Sequence, residues 1–160
     1  MATDFFDPAY LENVYAALFN LLKTAQYANG VSIKSYTRAV IDPDQATPAD
    51  QPALVLVEGM IEPAQKDLFG PARWVFGALA LVYVRASGPA QNPSPLPITV
   101  ANYIIWGLAN VIATTRPPYQ KQTLGGLVYH CWTEGVSYAE VTSEQIVVTV
   151  PIKILPGQVS

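Results

Sequence analysis

The order of apolar periodicities in this 160-residue chain predicts an α+β domain: one mostly antiparallel sheet with two helices packed on one face. Three observations carry that expectation. Two segments repeat apolar residues at helical spacing, and five others alternate or run apolar as strands do. Their order along the chain is α-β-β-β-α-β-β. No internal repeat interrupts it, and residues 1–160 have the length of one compact domain with a hydrophobic core.

The first helix opens at Asp7-Pro8, because Asp caps a helix well and Pro is tolerated at the first helical position. Leu11, Val14, Leu18, Leu21, Leu22 and Ala25 form one stripe, with Glu12, Asn13, Asn20, Lys23 and Thr24 on the other side. Asn29-Gly30 is the expected stop, since Gly accepts the left-handed conformation that ends helices. Val31 to Val40 alternates and reads as a strand; residues 41–52, rich in Asp, Pro and Gln, read as a polar loop.

Ala53 to Glu58 is apolar without a break until its last residue, the pattern of a central strand covered on both faces. Glu62 to Gly70 turns polar, and Arg73 to Arg85 then gives the longest strand signal. In it Val75, Leu79, Leu81 and Tyr83 alternate against Trp74, Phe76, Ala78 and Val82. These two strands predict a long hairpin that overhangs the core. Ser87 to Pro97 holds four prolines and serves as a connector.

The second helix follows, with a core stripe of Val100, Ile104, Leu108, Val111 and Ile112, and Arg116-Pro117-Pro118 stops it. Thr123 to Val136 and Ile146 to Leu155 read as the last strands. Pro151 cannot donate to a ladder, which predicts that its strand lies at an edge or is bulged.

Composition limits what such a domain does. The chain is 51% hydrophobic and only 13% charged, and residues 86–115 contain no charged side chain. A soluble domain averages about 25% charged residues, and a small one has too much surface to hide the surplus apolar material internally. The inference is a subunit covered by other protein. A net charge of −3 with nine Lys and Arg leaves no electrostatic footprint for nucleic acid and no polybasic membrane patch.

Leu96 to Ala113 has the length of a membrane span, yet it holds Pro97, Asn102 and Asn110, which favours a buried helix in a non-membrane protein. The N-terminus lacks the basic and apolar regions of a signal peptide. A single cysteine excludes an internal disulfide and fits a reducing cytoplasm.

No catalytic constellation emerges. His130 and Cys131 are the only histidine and cysteine, and as neighbours on a strand they point to opposite faces. A thiol nucleophile needs an imidazole in reach, so a buried structural thiol is the reading preferred. The carboxylates are scattered and no ligand spacing suggests a metal or a cofactor. Gly125-Gly126 reads as a tight turn into a strand, lacking the helix and lysine of a phosphate cradle.

Surfaces offer more. Asn102, Trp106 and Asn110 recur every four residues opposite the core stripe of the second helix, with Tyr103 beside them. An outward Trp framed by amides on a chargeless helix resembles the centre of a protein contact, the alternative being a cover from the same chain. Leu68-Phe69, flanked by Lys66, Asp67 and Gly70, forms an apolar hairpin tip that either inserts into a neighbour or folds back on its own sheet.

Four stretches together resemble the tail terminator proteins of tailed bacteriophages: LENVYAALFNLL (Leu11–Leu22), QPALVLVE (Gln51–Glu58), QTLGGLVYHCWTEG (Gln122–Gly135) and VTVPIKIL (Val148–Leu155). QTLGGLVYHCWTEG is the most specific of the four, and together they span nearly the whole chain in the expected order. The resemblance implies a sheet flanked by two helices and a hexameric ring seated on the end of the tail tube. That ring stops tube elongation and presents a surface to the head-tail connector or neck protein, while DNA passes through its bore without specific binding. It also implies location in the virion after assembly in the host cytoplasm. Members often carry acidic residues along the second helix, whereas Ala101 to Ala113 has none. The rival readings are a head-to-tail neck or completion protein, a thiol-dependent enzyme using Cys131, and a monomeric binding module.

Overall fold

The computed structural model describes residues 7–63, 74–86, 96–113, 121–139 and 144–157. Helix α1 spans Pro8–Lys23, opened by Asp7, whose carboxylate accepts from the Ala9 N–H at 3.0 Å. It ends six residues before the expected stop. Thr24 caps it, its backbone N–H and hydroxyl both donating to Leu21 O, so the carbonyls are satisfied before Asn29-Gly30 is reached. Asn29 and Gly30 do adopt left-handed conformations (φ 57° and 72°), but they turn the chain into the next segment.

That segment is a correction. Instead of a ten-residue strand, only β1, Ser35–Thr37, joins the sheet, and it runs parallel to the next strand. The 41–52 loop contains two short 3-10 turns, Pro43–Gln45 and Pro48–Asp50. Strand β2 (Ala53–Pro63) extends past the apolar run, and β3 (Trp74–Arg85) pairs with it antiparallel, from Ala53 opposite Tyr83 to Pro63 opposite Trp74. A register shift between Glu58 and Ile61 falls at Gly59, where an added β-carbon would meet Gly77 O at 2.7 Å.

Helix α2 runs Pro97–Ile112. Among the described residues no helix is long and apolar enough to cross a membrane. The expected 123–136 strand is shortened, and a further short strand that the sequence did not predict follows it. A turn over 124–127 comes first, with Leu124, Gly125 and Gly126 all at positive φ (49°, 74° and 92°). Then β4 (Val128–Thr133) and β5 (Ser137–Ala139) are separated by Gly135 at φ 66°. Strand β6 (Gln145–Pro156) completes the sheet, whose order is β1-β2-β3-β6-β4 with β5 also on β6.

Strand β6 is therefore interior, and Pro151 is not at an edge. Its missing donor is accommodated by a junction. Leu79 of β3 stands opposite Pro151 in unbroken register, while the other side of β6 pairs with β4 at residues 152–156 and with β5 at 147–149. Pro151 O accepts from Glu134 N at 2.9 Å, on the β4 side. In an extended strand a residue's N and O point the same way, so the donorless nitrogen faces the gap between β4 and β5.

Alternation along the strands decides the layers. Leu54, Leu56, Phe76, Ala78, Ala80, Val82, Ile146, Val148, Val150, Ile152 and Ile154 face both helices and are at most 2% exposed. From the helices, Val14, Leu18, Leu22, Ala101, Ile104, Leu108 and Ile112 close that core. Each such Leu or Ile contributes roughly 1.5–3 kcal/mol by burial. The opposite sheet face carries a second, smaller cluster of Ala53, Val55, Tyr83 and Val147 under Ala46 of the 41–52 loop. Tyr83 holds that loop by donating its hydroxyl to Ile41 O at 2.8 Å.

Candidate interaction surface

The outward stripe of α2 is where the spacing placed it. Asn102, Trp106 and Asn110 are exposed, and Trp106 shows 57% of its surface. Tyr103 is half-buried between stripe and core. Every fourth residue points outward because Ala101, Ile104, Leu108 and Ile112 fix the opposite side against the sheet. Asn102 is tied down: its Oδ1 accepts the Tyr138 hydroxyl at 2.9 Å, linking α2 to β5. Lys66, Asp67, Leu68 and Phe69 lie outside the described residues.

Beside Trp106 runs an open groove bounded by Thr24, Gln26, Tyr27, Gly107, Asn110 and Val111. Gly107 permits it. Its missing side chain lets the segment after α1 lie directly on α2, where an added β-carbon would sit 2.7 Å from Gln26 O. Tyr138 and Tyr27 were not singled out from the sequence. Only the tertiary pairing of β5 with β6 and the early end of α1 bring them to α2.

A second apolar surface lies on the sheet face away from the helices. The 41–52 loop covers the end at Val55, Tyr83 and Val147. Beyond it, Leu79 is 37% exposed, and Pro151, Lys153, Leu155 and Trp132 are half-buried. Gly59 and Gly77 leave a shallow notch next to Leu79 and Pro151. The signal for this face was present in β6, where Val147, Thr149, Pro151 and Lys153 alternate against the core positions with a single charge among them.

The chemistry-bearing pair is separated. Cys131 packs in the helix-side core, 1% exposed, and burial pushes its thiol up to about 12. A thiol with that pKa is almost never a thiolate near neutrality. His130 lies half-buried on the opposite face, its ring stacked on Trp132 with centroids 5.3 Å apart. Its Nδ1 accepts the Gln122 N–H at 3.2 Å, and its pKa is held below the usual value by burial and then by Lys121. Among the described residues no three His, Cys, Asp or Glu side chains gather as a metal site would require.

Charge is used elsewhere, structurally. Arg38, just after β1, donates Nη1 and Nη2 to the two carboxylate oxygens of Glu12 on α1, and also pairs with Glu58 on β2. The bidentate geometry fastens α1 across the sheet edge.

No protein-family model matches the chain, and no curated protein matches it in sequence. Among solved structures it is similar to a chain of the virion of a native gene transfer agent particle, at 14% identity and a TM-score of 0.49. That alignment covers 94% of this chain and 100% of the other.

Proposed function

We propose that this chain is a structural subunit of a phage-like particle and acts as a tail terminator: a hexameric ring that caps the tail tube, stops its elongation and offers a surface to the head-tail connector or neck protein. One observation carries the reading. A chargeless helix presents Trp106 at 57% exposure between two exposed Asn side chains, on a fold whose helices and sheet match what the tail-terminator resemblance implies. Exposed aromatic anchors with few charges around them are the composition of protein contacts. The partly exposed sheet face around Leu79 and Pro151 supplies a second such surface, so one copy has two different patches to offer.

Two different patches on one copy allow head-to-tail contacts, and such contacts close into a ring when the rotation permits. A closed ring ends polymerisation by geometry alone: it binds the growing face of the tube on one side and does not reproduce that face on the other. DNA would pass through the bore without base recognition, consistent with a net charge of −3. The Leu68-Phe69 pair and the 41–52 loop are assigned to subunit or tube contacts.

The test is reconstitution with polymerising tube protein, followed by electron microscopy of the tube ends. Sixfold rings at one end and arrested elongation are expected. Rings that form on the head connector with no tube present would favour a neck protein, and a chain that stays monomeric while tubes lengthen freely would overturn the proposal.

A further inference from the structure

We propose that His130 is an acid-released latch that holds Gln122, and through it the end of α2, to β4. Gln122 is tied down through its backbone N–H and both polar atoms of its side chain. Its Nε2 donates to Ile112 O at the end of α2 (3.3 Å), its Oε1 accepts from Leu124 N at the turn (3.2 Å), and its backbone N–H donates to His130 Nδ1 (3.2 Å). Gln122 thus joins the last turn of α2, the turn at residues 124–127 and the first half of β4 at one point.

Of these bonds only the last has an acceptor that titrates near neutral pH. A neutral imidazole accepts at one ring nitrogen, and the bond from Gln122 assigns that role to Nδ1, placing the proton on Nε2. An imidazolium has no acceptor. Protonation therefore turns a hydrogen bond into two donors facing each other, and the Gln122 N–H must separate from the ring.

The surroundings set the direction. Lys121, on the segment just before Gln122, has its Nζ over the Tyr129 ring at 3.4 Å and opposes a second cation beside it. From β6, Lys153 stands opposite Trp132, on which His130 stacks, and adds positive charge to the same face. Trp132 and Glu134, joined by a 3.1 Å bond from Nε1 to the carboxylate, favour the imidazolium. Burial and Lys121 prevail, so His130 stays neutral to lower pH than a free histidine. The latch is closed at neutral pH and opens as the solution is acidified below the ordinary histidine range.

His130 is the only histidine in the chain, which makes the test clean. Its ring carbons and nitrogens are followed by NMR from pH 8 to 4.5, together with the hydrogen-exchange protection of the Gln122 amide, corrected for the intrinsic pH dependence of exchange. Expected are an Nε2–H tautomer at pH 8 and a fall in Gln122 protection of roughly five- to tenfold, the equivalent of one net hydrogen bond. That fall should have the same midpoint as the His130 titration. In His130→Asn the side-chain oxygen occupies the place of Nδ1 and does not titrate, so protection should persist to low pH. A Gln122 amide whose protection ignores the His130 midpoint, an Nδ1–H tautomer at pH 8, or a His130→Asn protein that still opens with acid would each overturn the latch.

Discussion

The Tyr27 ring lies against Gly107 so closely that a β-carbon added to the glycine would collide with Tyr27 Cδ1 and stand 2.7 Å from Gln26 O. The second of these is backbone and does not swing aside. This contact brings the segment after α1 onto α2 and forms the floor of the groove beside Trp106. Gly107→Ala should gain about 1 kcal/mol in helix propensity and lose about 1–3 kcal/mol to overpacking. The expected result is a net fall in the midpoint of thermal unfolding, measured by circular dichroism; an unchanged or higher midpoint would show that the Tyr27 segment yields freely.

Trp106 carries the interaction proposal. Because more than half of it is exposed, Trp106→Ala should leave the unfolding midpoint of the isolated chain nearly unchanged. Assembly should weaken by about 2 kcal/mol or more if the side chain is a hot spot. Sedimentation velocity across a concentration series, alone and with tube protein, reads the difference. Equal assembly by both proteins would remove Trp106 from the interface.

Cys131 separates a structural protein from a thiol enzyme. With the side chain 1% exposed and the thiol pushed up to about 12, iodoacetamide at pH 8 should label the native chain far more slowly than the denatured one. Labelling at comparable rates in both states would put the thiol at an accessible, activated position.

The Arg38 bridge gives a pH dependence with a definite sign. The Arg38 hydrogen bonds hold the Glu12 carboxyl below its usual pKa of 4.5 in the folded chain. A lowered folded pKa contributes stability above the unfolded value, and that contribution disappears as pH falls through the folded one. The Glu12 side chain is 60% exposed, so the effect is small and screened by salt. Glu12→Gln should flatten the acid limb of the stability curve below pH 4.5 and reduce its salt dependence. Urea unfolding at several pH values, at low and high salt, measures both.

Helix α2 and its outward stripe were legible in the sequence because both rest on local periodicity: Ile104, Leu108 and Ile112 fix one side, and Asn102, Trp106 and Asn110 follow on the other. The same holds for the pairing of β2 with β3 and for the opposed directions of His130 and Cys131. What failed had one local cause and one that lay in a partner distant in the chain. The end of α1 was decided by Thr24 capping ahead of a perfectly serviceable Asn-Gly, and β1 shrank to the three residues that β2 engages in parallel.

Sequence by itself determined the class of fold, the chargeless helix and the lack of a paired nucleophile, since these follow from residue types at short spacing. Tertiary structure alone decided that β6 is interior despite Pro151, because a proline's missing donor matters only on the side where a neighbour would accept it. It likewise decided that Tyr138 reaches Asn102, that Gly107 yields its space to Tyr27, and that Gln122 meets His130. Each is a contact between segments whose meeting is fixed by strand order and register, and no local pattern encodes that order.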